Sequence, residues 1–268
     1  MGYDSTLFYD TYEYYAKYRP NVPEEVVQII VEQFDIKPVD RILDIGCGTC
    51  QIAIAMDGKC DEMVCLDSDL EMLKQAKREI ERMNLKQKII LVNCYAEDLI
   101  KRKNGLKIFK LATICRAFHW MDQNKVLTDL DSLISEDGGI AIISDGSFWT
   151  GEEEWQHVIK KVVQKYLGEE RHAGKGTFKE SPEPWENIVS RSAFSVVESK
   201  EVEIVRTWTV ESIIGWLFSS SFASPKYFGN RIKTFKKDIN ETLLSINPDG
   251  VFNEQDHFNL ILASRPRK

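Results

Sequence analysis

The chain has 268 residues, 43% hydrophobic and 29% charged, with 35 Lys and Arg against 42 Asp and Glu and a net charge of -7. That length suits one large α/β domain with a covering segment, while no apolar run approaches the roughly 18 residues of a membrane helix and no charged-then-apolar leader opens the chain. A membrane-spanning or secreted protein is therefore not expected, and the acidic balance argues against a general nucleic-acid binder, which carries a basic excess.

The distribution of residue types is uneven. Six of nine tyrosines (Tyr3, Tyr9, Tyr12, Tyr14, Tyr15, Tyr18) precede Pro20, all six cysteines lie in the first half, and the six tryptophans begin only at Trp120. In chain order, Pro23, Glu24 and Glu25 open a helix with Val26, Val27, Ile30 and Phe34 on one face. Short apolar runs follow at 42–45, 63–66, 89–92, 111–115 and 140–143, with helix-period stretches between them (Leu70, Leu73, Ile80, Met83; Val126, Leu127, Leu130, Leu133, Ile134). Strands alternating with helices predict repeated βαβ units, and right-handed crossovers then give an α/β, doubly wound, mainly parallel sheet with helices on both faces. Beyond 147 the rhythm breaks: a helix is expected over 152–167, a loop over 168–184, a helix over 185–193, strands over 202–205 and 258–263, and helices over 210–218 and around Ile232, Phe235, Ile239 and Leu243. The expected division is an N-terminal helical lid (1–38), a ligand-binding core (39–147), a helical cap insertion (148–200), and a C-terminal part (201–268) that completes the sheet and adds cap helices.

Cysteines inside apolar runs read as small hydrophobes in a reducing, cytoplasmic setting. Cys47 and Cys50 form a lone C-x-x-C within a glycine turn, without the second pair a metal site would use. Gly174-Lys175-Gly176-Thr177 lacks the spacing of a phosphate-binding loop, Lys101-Arg102-Lys103 with Lys107 and Lys110 reads as a solvated turn, and Met1-Gly2 with Thr6 matches the acylation pattern only formally.

The most informative stretch is Asp44-Ile45-Gly46-Cys47-Gly48-Thr49, where an apolar strand ends in an acid and two glycines let the chain turn close to a ligand. Asp67 ends the next strand, about 20 residues on, where an acid accepts the hydroxyls of a ribose. The third glycine of a dinucleotide fingerprint is replaced by Gln51, and Asp44 would repel a phosphate while suiting an ammonium. S-adenosylmethionine (SAM) carries an amine, a carboxylate and a sulfonium but no phosphate, so these residues favour SAM over NAD.

The turn resembles the first motif of class I SAM-dependent methyltransferases; Leu66-Asp67-Ser68 with Met72-Leu73 is similar to their second, and Tyr95-Ala96-Glu97-Asp98-Leu99 to their third. The segment from Arg116 to Trp120, the region around Gly138-Gly139 and the lead-in 14–23 resemble the small-molecule "methyltransferase 11" branch. The resemblance spans roughly residues 9–143 and implies a seven-stranded sheet, with Cys50 departing from a usual glycine and Tyr95 from a frequent aspartate. It implies cofactor contacts from Tyr18, Arg19, Asp44, Gly46, Cys47, Gly48, Asp67, Ser68, Tyr95, Ala96, Glu97 and Arg116, the arginines toward the methionine carboxylate.

Methyl transfer from a sulfonium is an in-line displacement that needs an oriented acceptor and exclusion of water. His119, past the fourth strand, is the candidate catalytic base or else a structural histidine, with His172 as the weaker alternative. Tyr14, Trp120, Phe148 and Trp149 are the candidate acceptor-binding aromatics. Only Asp145 stands where a catechol-type metal site would need carboxylates, so metal-independent transfer to a small molecule is expected. The competing readings are an RNA methyltransferase, a non-catalytic SAM-binding partner protein and, last, an NAD dehydrogenase.

Overall fold

The computed structural model describes residues 7–105 and 108–267, the side chains of 102–105 excepted. Tyr3, the Met1-Gly2-Thr6 pattern and the side chains of Arg102, Lys103 and Lys107 lie outside the described residues. The chain begins with helices α1 (Tyr12–Tyr18) and α2 (Glu24–Gln33). Strands and helices then alternate: β1 (Arg41–Ile45), α3 (Gln51–Ala55), β2 (Glu62–Asp67), α4 (Leu70–Met83), β3 (Lys88–Asn93), β4 (Phe109–Cys115), α5 (Gln123–Asp131) and β5 (Ile134–Asp145). After these come α6 (Glu154–Leu167), the short pair β6 (His172–Ala173) and β7 (Gly176–Thr177), α7 (Trp185–Ser190), β8 (Val196–Thr209), α8 (Val210–Phe218), α9 (Ile232–Ile246) and β9 (Val251–Ser264).

The main sheet has seven strands in the order β3-β2-β1-β4-β5-β9-β8. The first five pair in parallel, and β9 is antiparallel to both β5 and β8. The strand order reverses beside β1, and in such sheets ligands bind outside the strand carboxyl ends at that reversal. Each of the five parallel strands predicted from periodicity is present; β1, β2, β4 and β5 are covered on both faces and read as unbroken apolar runs, while the edge strand β3 is only half-buried. The last two were foreseen too short. Over β8 only Val202 and Trp208 are buried, and the opposite face carries Glu201 and Glu203, so the apolar signal there is confined to a few positions.

Two cores cover the faces of the sheet and a third lies apart. One packs α2, α3 and α4 against it through residues such as Val26, Ile30, Ile52 and Leu73; the other packs α5 and α7 through Val126, Leu130 and Val189. The third is aromatic, built from Phe148, Trp155, Trp208, Trp216, Phe218, Phe228, Phe235 and Phe252. It accounts for the late onset of tryptophan in the sequence. These rings join α6, α8 and α9 to the ends of β8 and β9, with Phe148 stacked 3.9 Å from Trp216.

Gly139 marks how tightly α2 sits on the sheet. A Cβ there would lie 2.3 Å from the Phe34 ring and 2.4 Å from the Ala263 carbonyl oxygen. The carbonyl belongs to the paired strand and cannot yield. Gly139→Ala should therefore cost about 3 kcal/mol, the upper range of overpacking, measurable as a lowered midpoint of chemical denaturation.

Candidate active site

The glycine turn follows β1 directly. Gly46 and Gly48 have φ of +68° and +53°, and the backbone N–H groups of Gly46 and Cys47 both donate to the Leu66 carbonyl, tying the turn to β2. Gly46 also leaves room for a neighbour, since an added Cβ would approach Ala117 Cβ to 2.6 Å. Cys50 has φ of +65°, the left-handed region where glycine is unstrained. The cysteine that departs from the family pattern is thus held in the conformation a glycine would adopt, buried beside the free thiols of Cys47 and Cys65.

The Asp67 carboxylate closes the turn from the next strand. Its Oδ2 accepts from Gly48 N–H at 2.8 Å and its Oδ1 from Asp69 N–H at 2.8 Å. Each oxygen keeps a lone pair for a ligand hydroxyl. Burial raises its carboxyl to about 6 against the pull of those two N–H bonds. One layer below, Asp44 is buried, with Oδ1 accepting the Thr113 hydroxyl at 2.8 Å and Oδ2 without a partner among the described residues. Burial first, then the Cys50 thiol, pushes its carboxyl up to about 8.

Over the turn opens a cleft of about 610 Å³, lined by Gly46, Gly48, Asp67, Ser68, Tyr95, Ala96, Glu97 and Arg116, and roofed by Phe8, Tyr15 and Trp120. A second pocket of about 540 Å³ adjoins it and shares Phe8, Tyr15, Arg116 and Trp120; His119, Ser147, Arg171, Ser221 and Phe222 lie on its walls. Trp120 stands at the junction. The two cavities share a wall, so the first leads into the second chamber.

Several residues read from the sequence stand elsewhere. Tyr14 and Tyr18, four apart on α1, stack on one another and turn toward α8, where Tyr14 meets Phe218 at 5.2 Å. Gly215 makes room for Tyr18, whose hydroxyl donates to Glu211 on the outer surface. Tyr15, about 100° further round the helix, is the tyrosine that enters the cleft. Phe148 belongs to the aromatic core, and Trp149 packs on Phe222 outside the lining of the second chamber. Asp44 and Cys47 support the turn from within the core and do not line the cleft, and Arg19 borders the second chamber rather than the first. Phe8, Tyr15, Met121 and Arg171 line the two cavities without being among the candidate site residues, and Met72 of the second motif lines the first. The signal for Tyr15 was helical phase relative to Tyr14 and Tyr18; Arg171 sits in an irregular segment and had none.

Arg116 has φ of +57°, an unusual conformation for a long side chain. Its Nε and Nη2 hold Asp145 at 2.6 Å each, Nη1 donates to Gln51 at 2.7 Å and Nη2 to the Pro20 carbonyl at 3.1 Å. Arg206 grips the same Asp145 from β8 at 3.0 Å. One Nη1 hydrogen is all that Arg116 has left for a ligand.

His119 makes no hydrogen bond among the described residues and packs parallel to Trp185, with ring centres 6.0 Å apart. Burial, then the positive charges of Arg171 and Arg19, lowers its pKa from 6.5 to about 3. The ring is neutral at physiological pH and a weak proton acceptor. The unfolded chain gains this proton below about 6.5 and the folded chain only near 3, so stability is lost as pH falls through that window. His119→Gln should remove that loss, up to about 1.4 kcal/mol per pH unit, in denaturation midpoints followed from pH 6.5 toward 4.

The cleft suits SAM on chemical grounds. Its charged lining is Asp67, Glu97 and the already engaged Arg116, so it offers acceptors for hydroxyls and a cation and little for a pyrophosphate. His, Cys, Asp and Glu side chains form no group of three able to hold a metal ion among the described residues.

Comparison with known proteins agrees. Residues 42–138 match the model of a methyltransferase domain. The probable S-adenosylmethionine-dependent methyltransferase CRG1 of Saccharomyces cerevisiae is 26% identical over 128 residues, 48% of this chain and 43% of that protein. A probable cobalt-precorrin-6B C(15)-methyltransferase of Methanococcus vannielii is 30% identical over 95 residues, 34% of this chain and 49% of its own. The aligned part thus spans about half the length of these curated relatives. Among solved structures, a putative type II methyltransferase from Anaeromyxobacter dehalogenans superimposes with a TM-score of 0.58 at 17% identity, over 92% of this chain and 97% of that one. A Haemonchus contortus N-methyltransferase in complex with S-adenosylhomocysteine gives 0.53 at 15% identity, over 98% and 59%. Domain match, strand order and the acid-flanked glycine turn converge: residues 42–138 form a methyltransferase domain, and the chain is similar to SAM-dependent methyltransferases.

Proposed function

We propose that this protein transfers a methyl group from SAM to a small-molecule acceptor held in the second chamber. The observation that carries the reading is the pair of adjoining cavities with Phe8, Tyr15, Arg116 and Trp120 in common. When bound, SAM supplies a methyl carbon on a sulfonium; the carbon–sulfur bond breaks as the bond to the acceptor forms, and the electron pair leaves with sulfur. Asp67 and Ser68 hold the ribose, and Tyr95, Ala96 and Glu97 border the base. Tyr15 and Trp120 offer aromatic faces to the sulfonium at the junction. Residues 7–38, as lid, and the cap helices exclude water from the transfer. His119 orients the acceptor through an unpartnered ring nitrogen; its low basicity suits an acceptor atom that reacts without losing a proton first.

No helix among the described residues is long and apolar enough to cross a membrane, and six free thiols suit a reducing, cytoplasmic setting. Lys101, on which an RNA-binding reading would rest, pairs with Asp98 at 2.6 Å. The test is incubation with methyl-labelled SAM and either a small-molecule extract or total RNA. Label in a small molecule supports the proposal, label in RNA replaces it, and SAM binding with no label in either leaves a non-catalytic binding protein.

A further inference from the structure

The second chamber holds more positive charge than its own carboxylates balance. Arg116 and Arg206 share Asp145, and Arg206 also pairs with Asp256, so that group is neutralised. Arg19 and Arg171 have no carboxylate partner among the described residues. Arg19 donates from Nε to Ser219 Oγ at 2.8 Å and lies between the rings of Tyr15 and Trp216, 5.3 and 4.3 Å from their centres. Arg171 is barer still. Its side chain makes no hydrogen bond among the described residues, and Nε is buried without an acceptor. Two aromatic faces hold it in place, Phe178 at 4.1 Å and Phe222 at 5.4 Å.

An enclosed guanidinium without an acceptor is costly, and each charge makes the other worse. Burial and the neighbouring Arg19 guanidinium lower Arg171 to about 10 against the weaker pull of Glu180, and Arg19 is lowered to about 10, chiefly by its own burial. The aromatic clamps fix the planar fork beside His119, Ser220 and Ser221 on the chamber wall. A fork of this kind matches the paired oxygens of a carboxylate or a phosphate.

We infer that the methyl acceptor is a small anion whose carboxylate or phosphate group is bound by Arg171, with Arg19 at its flank. The inference rests on the methyltransferase reading above and adds the acceptor's chemical class to it. Trp120 and Phe222, on the same walls, receive the apolar part of such a molecule. The anion also supplies the charge that the chamber lacks, which explains why two unpaired arginines are kept together there.

The test uses the full chain with methyl-labelled SAM and a small-molecule extract divided on an anion exchanger. Label should enter products of the retained, anionic fraction. Arg171→Met should slow that labelling by about tenfold or more, since it removes a charge-assisted bond. Its affinity for S-adenosylhomocysteine should stay within about twofold of the unaltered chain, which also certifies folding. Arg171→Lys, which keeps the charge but not the fork, should fall between the two. Phosphatase treatment of the fraction separates the sources: label lost means a phosphate, label kept a carboxylate. Label arising only from the unretained fraction overturns the anionic acceptor while leaving methyl transfer intact. Undiminished labelling by Arg171→Met overturns the role of Arg171. Label from neither fraction overturns the methyltransferase reading, and this inference with it.

Discussion

Asp67→Ala is expected to weaken binding of S-adenosylhomocysteine by about 100-fold or more. Two hydroxyl bonds to a charged acceptor, at about 1.5–3 kcal/mol each, set that scale. The same carboxylate accepts Gly48 N–H and Asp69 N–H, so its loss also loosens the glycine turn. The two effects can be separated with a ligand lacking the ribose hydroxyls. The unaltered chain should bind such an analogue far more weakly than S-adenosylhomocysteine, whereas Asp67→Ala should scarcely distinguish them. Calorimetric titration of both ligands into both proteins checks this. Equal losses for the two ligands would mean that Asp67 acts on the turn alone.

Arg116→Met should cost about 3–5 kcal/mol of stability, the range for removing one partner from a buried ion pair. Burial works against both charges, yet each partner outweighs it: the Arg116 pKa is raised, and the Asp145 carboxyl is held below its usual range. The residue also ties three elements together, since the guanidinium reaches Gln51 at the start of α3 and the carbonyl of Pro20 just after α1. Loss of the Pro20 bond should free the N-terminal segment, visible as faster hydrogen exchange across residues 12–20 than elsewhere. Arg116→Lys should recover little, because one ammonium cannot reproduce the bidentate grip on Asp145. A variant as stable as the parent, with unchanged exchange, would contradict this structural role.

The two arginines show where sequence reading works and where it stops. The strand-end glycines, Asp67 and the third-motif residues were legible because each sits at a fixed place in a βαβ unit. There the chain's local geometry decides what a side chain faces. Arg116 was legible by position, but its engagement with Asp145, Gln51 and Pro20 joins segments distant in sequence. Tyr14 and Tyr18 were placed on the wrong side of their helix for the same reason: the spacing groups them together, and only the packing of α8 decides that their shared face turns away from the cleft. Phe148 and Trp149 follow a strand that ends at the site, yet the aromatic core claims the first and Phe222 the second. Arg171 lies between α6 and α7 in a segment with no period to read. The acceptor contact proposed for Arg171 comes from such a segment, whose position is set by tertiary contacts.

The most direct test is calorimetric titration of the full chain with S-adenosylhomocysteine and, separately, with NAD. The account predicts saturable binding of S-adenosylhomocysteine that Asp67→Ala weakens by about 100-fold or more, and no binding of NAD. Binding of NAD without binding of S-adenosylhomocysteine would contradict it.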